Sequence, residues 1–242
     1  MLLMDKNSYR YEMHMHTSEG SRCADRTVEE QLMLYRNLGY SGVCLTDHFL
    51  GSGSCTLRNR EGLSWDEIVT RYMTPYHKAC EIAEGWDMDV FFGYEYTIGG
   101  TDFCIYGISE DWLREHPDQL SWNPRDYFDR VRADGGFIVQ AHPFREANYI
   151  ECIRLYPRSV DGVEIWNANR TAHENHMAAV YAAEYGLPVF AGSDNHHGIQ
   201  RYLAGIRTPQ RYRNILKLCR DTAAHPEWLF MENHPLWTEP GA

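Results

Sequence analysis

No apolar run in this 242-residue chain approaches the roughly 18 residues that a membrane-spanning helix needs. The apolar start, Met1 to Met4, is ended at once by Asp5 and Lys6, so no secretory leader is expected. Cys-x-x-Cys pairs are missing too. The seven cysteines are odd in number and scattered, at positions 23, 44, 55, 80, 104, 152 and 219, which argues against a disulfide framework or a zinc ribbon. Cys44 and Cys104 sit inside apolar runs, as buried free thiols do, and a reducing cytoplasm is the expected home. There is no internal repeat, no low-complexity segment and no glycine-rich phosphate loop. Positive charge is scarce: 23 Lys and Arg against 34 Asp and Glu leave a formal charge of −11. Such a field repels a polyanion, so extended nucleic acid is not an expected partner. A small phosphate ester is not excluded, because bound divalent ions reverse the local potential.

Hydrophobic residues make up 43% of the chain, enough for a sizeable core, and the length suits one α/β barrel. Short apolar runs alternate with helix-period stretches, the pattern of repeated βα units. Strands are predicted at Met13–His16, Val43–Thr46, Val90–Gly93, Phe103–Tyr106, Phe137–Gln140, Gly162–Ile165 and Val189–Ala191, with an eighth candidate at Ala204–Arg207. Thr27-x-x-Glu30 and Ser64-x-x-Glu67 read as capping boxes that open helices, the second of which Pro75 should break or kink. Pro124 suits a first helical position, and a further helix is predicted over Thr171–Tyr185, ending at Gly186. The expected fold is α/β, a TIM-like barrel of about seven parallel strands forming a single domain over 1–242. Residues 206–242 are read as a C-terminal helix and tail.

The chemistry lies where these strands end. Tyr11-Glu12-Met13-His14-Met15-His16-Thr17 places His14 and His16 on one strand face, since residues i and i+2 point the same way. The next strands end in Thr46-Asp47-His48, Gly93-Tyr94-Glu95, Gln140-Ala141-His142-Pro143 and Gly192-Ser193-Asp194-Asn195-His196-His197. In a parallel barrel all C-terminal strand ends open on one mouth, so five strands deliver imidazoles and carboxylates to one place. Neutral imidazole and carboxylate suit zinc, iron or manganese, and the set is richer than one ion needs, which implies two or three. A single histidine at a strand end is an ordinary half-buried residue; the coincidence across five ends carries the reading. Arg145 follows His142 closely enough to grip a phosphate, with Arg170 and Arg22 as weaker claimants. His197 is a candidate proton donor to a leaving group, and Asp47 is read as orienting a neighbouring ligand. His173 and His176 are read as helix-face residues, and His77, His116, His225 and His234 as surface.

The four motifs His14-Met15-His16-Thr17, Thr46-Asp47-His48, Ala141-His142-Pro143 and Ser193-Asp194-Asn195-His196, in this order over residues 11–205, resemble the polymerase and histidinol phosphatase (PHP) superfamily of metal-dependent phosphoesterases. The resemblance implies a distorted seven-stranded barrel holding up to three zinc, iron or manganese ions, with Glu95 bridging two of them. It also implies a further ligand soon after His16, for which this chain offers Glu19, Cys23 or Asp25, Glu19 being favoured. Another is implied on the strand after Glu95, where Asp102 is favoured over Cys104. The implied metal ligands are thus His14, His16, Glu19, His48, Glu95, Asp102, His142, Asp194 and His196.

The expected activity is hydrolysis of phosphate mono- or diesters of a small metabolite or nucleotide by a metal-activated hydroxide, with Glu95, Arg145 and His197 at the reaction. Three other readings compete: an amidohydrolase-like C–N hydrolase, a non-catalytic regulatory metal-binding module, and an exonuclease on short single-stranded nucleic acid. A small phosphorylated substrate is the expected partner, no membrane is, and a homo-oligomer is compatible with the sequence.

Overall fold

A computed structural model describes residues 8–239. Its strands are β1 (Tyr9–Met15), β2 (Gly42–Leu45), β3 (Asp89–Ile98), β4 (Thr101–Tyr106), β5 (Phe137–Ala141), β6 (Gly162–Asn167), β7 (Val189–Gly192), β8 (Tyr202–Thr208) and β9 (Leu229–Asn233). The helices are α1 (Val28–Asn37), α2 (Trp65–Ala83), α3 (Glu110–Glu115), α4 (Pro124–Ala133), α5 (Ala172–Tyr185) and α6 (Ile215–Ala223). The strands form one sheet in the order β7-β6-β5-β4-β3-β2-β1-β8-β9. It curls into a nearly closed barrel: Met15 at the end of β1 bridges Asn195 just past β7, and His16 N–H donates to the Asn195 carbonyl at 3.0 Å.

Nine strands, not seven, make the sheet among the described residues, and it is mixed rather than wholly parallel. β4 pairs antiparallel with both β3 and β5, as the return arm of a hairpin through Gly99 and Gly100. β1, β2, β3, β5, β6 and β7 all run the same way and deliver their C-terminal ends to one mouth. Because β4 runs backwards, its N-terminal residue pair Thr101-Asp102 lies at that mouth, opposite Ala141. β8 pairs antiparallel with β1, and β9 with β8, so the segment read as helix and tail also contains a strand.

The helices pack outside the sheet where their apolar stripes predict. The Thr27 and Ser64 capping boxes are formed, with both reciprocal hydrogen bonds in each. Val28, Leu32 and Tyr35 of α1 bury against Met15, Val43 and Leu45, and fully burying a side chain such as Leu32 contributes roughly 1.5–3 kcal/mol. Pro75 does not break α2, which continues through it; the acceptor it leaves unpaired belongs to Arg71, an exposed residue. Pro124 opens α4, and Gly186 closes α5 in the left-handed conformation at φ 63°.

His234 is buried at 2% exposure rather than on the surface. Its Nδ1 accepts from Leu236 N–H at 3.0 Å, its Nε2 has no partner among the described residues, and burial holds its pKa below the ordinary 6.5. A base whose folded pKa is depressed binds fewer protons folded than unfolded, so stability is unaffected above about pH 6.5 and declines as pH falls through it. Urea midpoints at pH 7.5 and 5.5 are therefore expected to fall further for the wild type than for His234→Gln. Equal losses in the two proteins would show that this imidazole is not what acid attacks.

Candidate metal centre

At the barrel mouth, His14, His16, His48, Glu95, His142, Asp194 and His196 converge, all buried except half-buried His196. Four overlapping sets of donor atoms lie within 4.8 Å of one another: His16, His48 and His196; His14, His16 and Glu95; His14, His142 and Asp194; and Glu95, Asp102 and His142. His14 Nε2 and His16 Nε2 are 3.2 Å apart, so the two histidines of β1 share a face. Each is 3.5 Å from an oxygen of Glu95, and they lie 3.6 and 3.4 Å from Asp194 Oδ1. His142 Nε2 is 3.1 Å from Glu95 Oε1, and His48 Nδ1 is 2.8 Å from Glu95 Oε2. A first-row ion about 2.1 Å from each ligand in a tetrahedron needs donors about 3.4 Å apart. The spacings match, so the residues fit divalent metals.

The backbone aims these groups under strain. His142 and Asp194 both have positive φ, 27° and 50°, which a non-glycine residue adopts only where its surroundings over-determine it. The register of β1 shifts between Glu12 and Met15, a bulge of the kind that re-aims side chains beside sites. Glycine is required at 192, where a Cβ would stand 2.5 Å from His14 Cβ and 2.6 Å from Glu164 Oε1.

A second layer turns the imidazoles. Glu164 Oε1 holds His14 Nδ1 at 3.0 Å, and its other oxygen accepts from His142 N–H and Asn167 Nδ2. Ser21 Oγ contacts His16 Nδ1 at 3.0 Å and donates to Asp47 Oδ1 at 2.7 Å. His14 and His16 therefore present Nε2 to the centre, the arrangement that fixes tautomer and ring orientation in metal sites. Asp47 acts at one remove, through Ser21 and Thr17, as expected. Glu164 and Glu12 carried no expected role. Glu12 is wholly buried and accepts from the N–H groups of His14 and Ser193, tying β1 to the end of β7; burial pushes its carboxyl up to about 7. The signal available was a charged residue inside an apolar strand in each case.

The buried charges of the cluster shift one another. Burial would raise the carboxyls of Glu95 and Asp194, but the surrounding imidazoles hold both well below the carboxylate range. Burial would likewise depress the imidazoles, yet Cys104, Glu164 and Asp194 raise His14, Glu95 raises His48, and Asp194 brings His196 up to about 9. His16 stays well below 6.5, through burial and then its neighbours His196 and His48. In the metal-free chain protons take the place of metal charge, so metal binding expels protons. Both oxygens of buried Asp102 lack a well-aligned hydrogen-bond donor, although Arg145 Nη2 is 2.8 Å from Oδ2.

Two expected site residues lie elsewhere. Glu19 accepts from Val28 N–H at 2.9 Å and pairs with Lys78 at 2.7 Å, because the N-terminus of α1 and an ammonium compete for its carboxylate. His197 points outward and pairs with Asp25 at 3.1 Å, both more than half exposed, since residues adjacent to an inward ligand face away. Arg145 and Arg170 do reach the cluster: Arg170 Nη2 is 3.8 Å from Asp194 Oδ2. Cys23 is exposed, and the imidazoles of His196 and His48 bring its thiol down to about 6 against the upward pull of desolvation. His173 and His176 are exposed on α5.

A PHP-associated family model matches residues 172–198, which take in α5, β7 and the Asp194-Asn195-His196 motif. Those residues meet the other three motifs at one barrel mouth. The family model reaches no further than that stretch of the chain. Among solved structures it is similar to a two-domain protein from Bacteroides vulgatus containing a predicted PHP-like metal-dependent phosphoesterase (TM-score 0.65, 14% identity over 94% of this chain). The chain spans 65% of the length of that protein. It is also similar to PsfC from Pseudomonas syringae (TM-score 0.53, 17% identity, 86% of this chain and 85% of that one). A third similar structure is an amidohydrolase from Chromobacterium violaceum with bound sulfate and no metal (TM-score 0.53, 14% identity, 90% of this chain and 99% of that one). At these identities the likeness is one of fold. No curated protein matches the sequence. Among the described residues, no helix is long and apolar enough to cross a membrane.

Proposed function

We propose that the protein is a metal-dependent hydrolase that cleaves phosphate mono- or diesters of a small metabolite or nucleotide. The observation that carries this reading is the pairing of a multi-seat donor cluster with two guanidiniums, Arg145 and Arg170, on its rim. His14, His16, His48, Glu95, Asp102, His142, Asp194 and His196 would hold two or three ions of zinc, iron or manganese type, with Glu95 placed to serve two seats. Divalent ions there supply charge neutralisation on phosphoryl oxygens and lower the pKa of water towards neutrality.

The chain's own residues do the rest. Arg145 and Arg170 each retain a buried Nε–H with no partner among the described residues, donor capacity available to an anionic group. Asp102 pairs with the half-buried Arg145 guanidinium and fixes its direction. Glu164, Ser21 and Asn167 hold the imidazole rings rigid, so binding a substrate requires no reorganisation of the donors. A tetrahedral dianion facing two guanidiniums favours phosphate esters over the neutral amides of a C–N hydrolase.

The test is turnover of a panel of phosphate monoesters, diesters, short oligonucleotides and amides by protein reconstituted with zinc, iron or manganese. Hydrolysis confined to the amides would overturn the reading. Arg145→Ala and Arg170→Ala are each expected to lower kcat/KM for the best phosphate ester by roughly 10–100-fold, the loss of a charge-assisted hydrogen bond. Metal content should be unchanged. Lysine at either position restores only part of the rate, because an ammonium lacks the planar fork of donors that matches two phosphoryl oxygens. Wild-type kinetics in both alanine variants would remove the guanidiniums from the substrate site.

A further inference from the structure

Beside the metal cluster, the loop between β5 and β6 borders two hollows. The inner one is a recess of about 10 Å³, room for a single water, walled by Asp102, His142 and Arg145 among others. The outer one is far larger, about 490 Å³, within the range of pockets that take small organic ligands. Arg145, Ile150, Cys152 and Ile153 line both, so the wider pocket begins beside the guanidinium that pairs with Asp102 at the cluster.

The loop is tied down at both ends. Glu146 N–H donates to Glu174 Oε1 on α5 at 2.9 Å, and Gln140 Nε2 donates to the Arg154 carbonyl at 2.8 Å. Between them, Ile150 N–H closes a turn on the Ala147 carbonyl at 2.9 Å. A pocket formed before its ligand arrives lowers the ordering cost of binding.

Its lining defines the chemistry it accommodates. Ala147, Ile150 and Ile153 supply apolar surface, and Ile153 remains 41% exposed. Tyr149 stands free in the same loop, its ring 5.8 Å from the Arg145 guanidinium carbon. Asn148 adds an amide, and Glu146 and Glu151 add two exposed carboxylates with no salt-bridge partner among the described residues. Arg154, a second cation at the inner recess, turns its guanidinium to the carbonyls of Gly99 and Cys152. Carboxylates accept hydrogen bonds from hydroxyl groups and repel a second phosphate, while the isoleucines cover carbon.

We propose that this pocket is the leaving-group subsite, and that the leaving group is an uncharged, polyhydroxylated ring such as a sugar or a nucleoside. The inference rests on the phosphoesterase reading and narrows its substrate to esters of such an alcohol that carry no second phosphate. Arg145 holds the phosphoryl group at the boundary. Beyond it, Glu146 and Glu151 accept from ring hydroxyls, and Ile150 and Ile153 pack on the carbon face. Hydrolysis breaks the phosphorus–oxygen bond to the alcohol; water supplies the new oxygen on phosphate and the proton that the alcohol carries away.

The first test needs no variant. The metal-loaded full chain is treated with iodoacetamide, and alkylation of exposed Cys152 is followed by peptide mass spectrometry, with exposed Cys80 on α2 as the internal reference. Uridine or glucose should slow alkylation of Cys152 by about 10-fold at ten times its half-saturating concentration, while Cys80 reacts as before. Which of the two protects tells a nucleoside from a sugar, and ethanol should protect neither cysteine. Absence of protection by both overturns the proposal.

The second test is kinetic. Ile153→Trp, which fills the pocket from its exposed wall, should lower kcat/KM for uridine 5′-monophosphate or glucose 6-phosphate relative to ethyl phosphate by roughly 10-fold. Glu146→Lys combined with Glu151→Lys should lower the same ratio by roughly 10-fold and raise kcat/KM for fructose 1,6-bisphosphate. An unchanged ratio in either protein overturns the proposal, as does a wild-type preference for the bisphosphate. Protection of Cys152 in a protein that hydrolyses no phosphate ester would remove the phosphoesterase reading and leave the pocket's ligand class standing. Equal turnover of ethyl phosphate and the larger esters, with Cys152 unprotected, would sink the subsite alone.

Discussion

Stripping the metal with a chelator is expected to lower the melting temperature by roughly 8–16 °C for each tightly bound ion. An ion present at 1,000 times its Kd stabilises the folded state by about 4 kcal/mol, and about 2–4 °C accompanies each kcal/mol in a chain of this size. The structural reason is the inventory at the barrel mouth. Glu95, Asp102 and Asp194 are nearly or wholly buried within a few ångströms of one another's partners, with Glu12, Asp47 and Glu164 buried just behind them. Without cations, protons on His14, His48 and His196 must balance this charge. Chelation should therefore be accompanied by proton uptake, and metal affinity should fall as pH drops through the range where those imidazoles protonate. Scanning calorimetry of the chelated and re-loaded protein measures the shift. A melting temperature within about 2 °C in the two states would mean that the cluster binds no ion tightly, because a 1,000-fold excess over Kd could not then be reached.

Asp194→Asn is expected to lower turnover of the best phosphate ester by about 1,000-fold or more while leaving the fold intact. The substitution keeps the shape, so the left-handed backbone at φ 50° remains tolerable, asparagine being among the residues that adopt it most readily. What it removes is a negative charge that His14, His16, His142 and His196 all face. A preorganised electrostatic group in a water-poor site is worth roughly 10²–10³ in rate on its own, and this one also retains metal. Metal analysis should show at least one ion lost, and circular dichroism an unchanged spectrum. His142→Ala should behave alike, since it deletes a donor to Glu95 and Asp194 without touching the core. Full activity with full metal in either variant would remove that residue from the centre.

Most of the centre could be read from the chain because its donors obey local rules. Period-2 alternation put His14 and His16 on one face, and apolar runs ending in His48, Glu95, His142 and Asp194 marked strand termini at a common mouth. The Thr27 and Ser64 capping boxes, Pro124 and Gly186 likewise announced helix ends, since caps depend on residues three or four positions apart. Glu19 was misjudged for the opposite reason. Its partner, Lys78, lies 59 residues away on α2, and no local pattern reveals an ion pair that competes for a carboxylate. The reversed direction of β4 was hidden as well, because an apolar strand reads the same whichever way its neighbours run. The tail strand β9 was missed because its five residues, Leu229-Phe230-Met231-Glu232-Asn233, are stabilised by pairing with β8 and not by a pattern of their own.

By itself, then, the order of residues determined which side chains could bind metal and that most of them stand at strand ends, because alternation and capping act over a few positions. The folded arrangement alone decided which of them share a seat, that Glu164 and Ser21 set the ring orientations, and that Glu19 turns away to Lys78 and the start of α1. Those outcomes depend on distances between segments remote in the chain, which only sheet closure and the competition of buried charges for partners can settle.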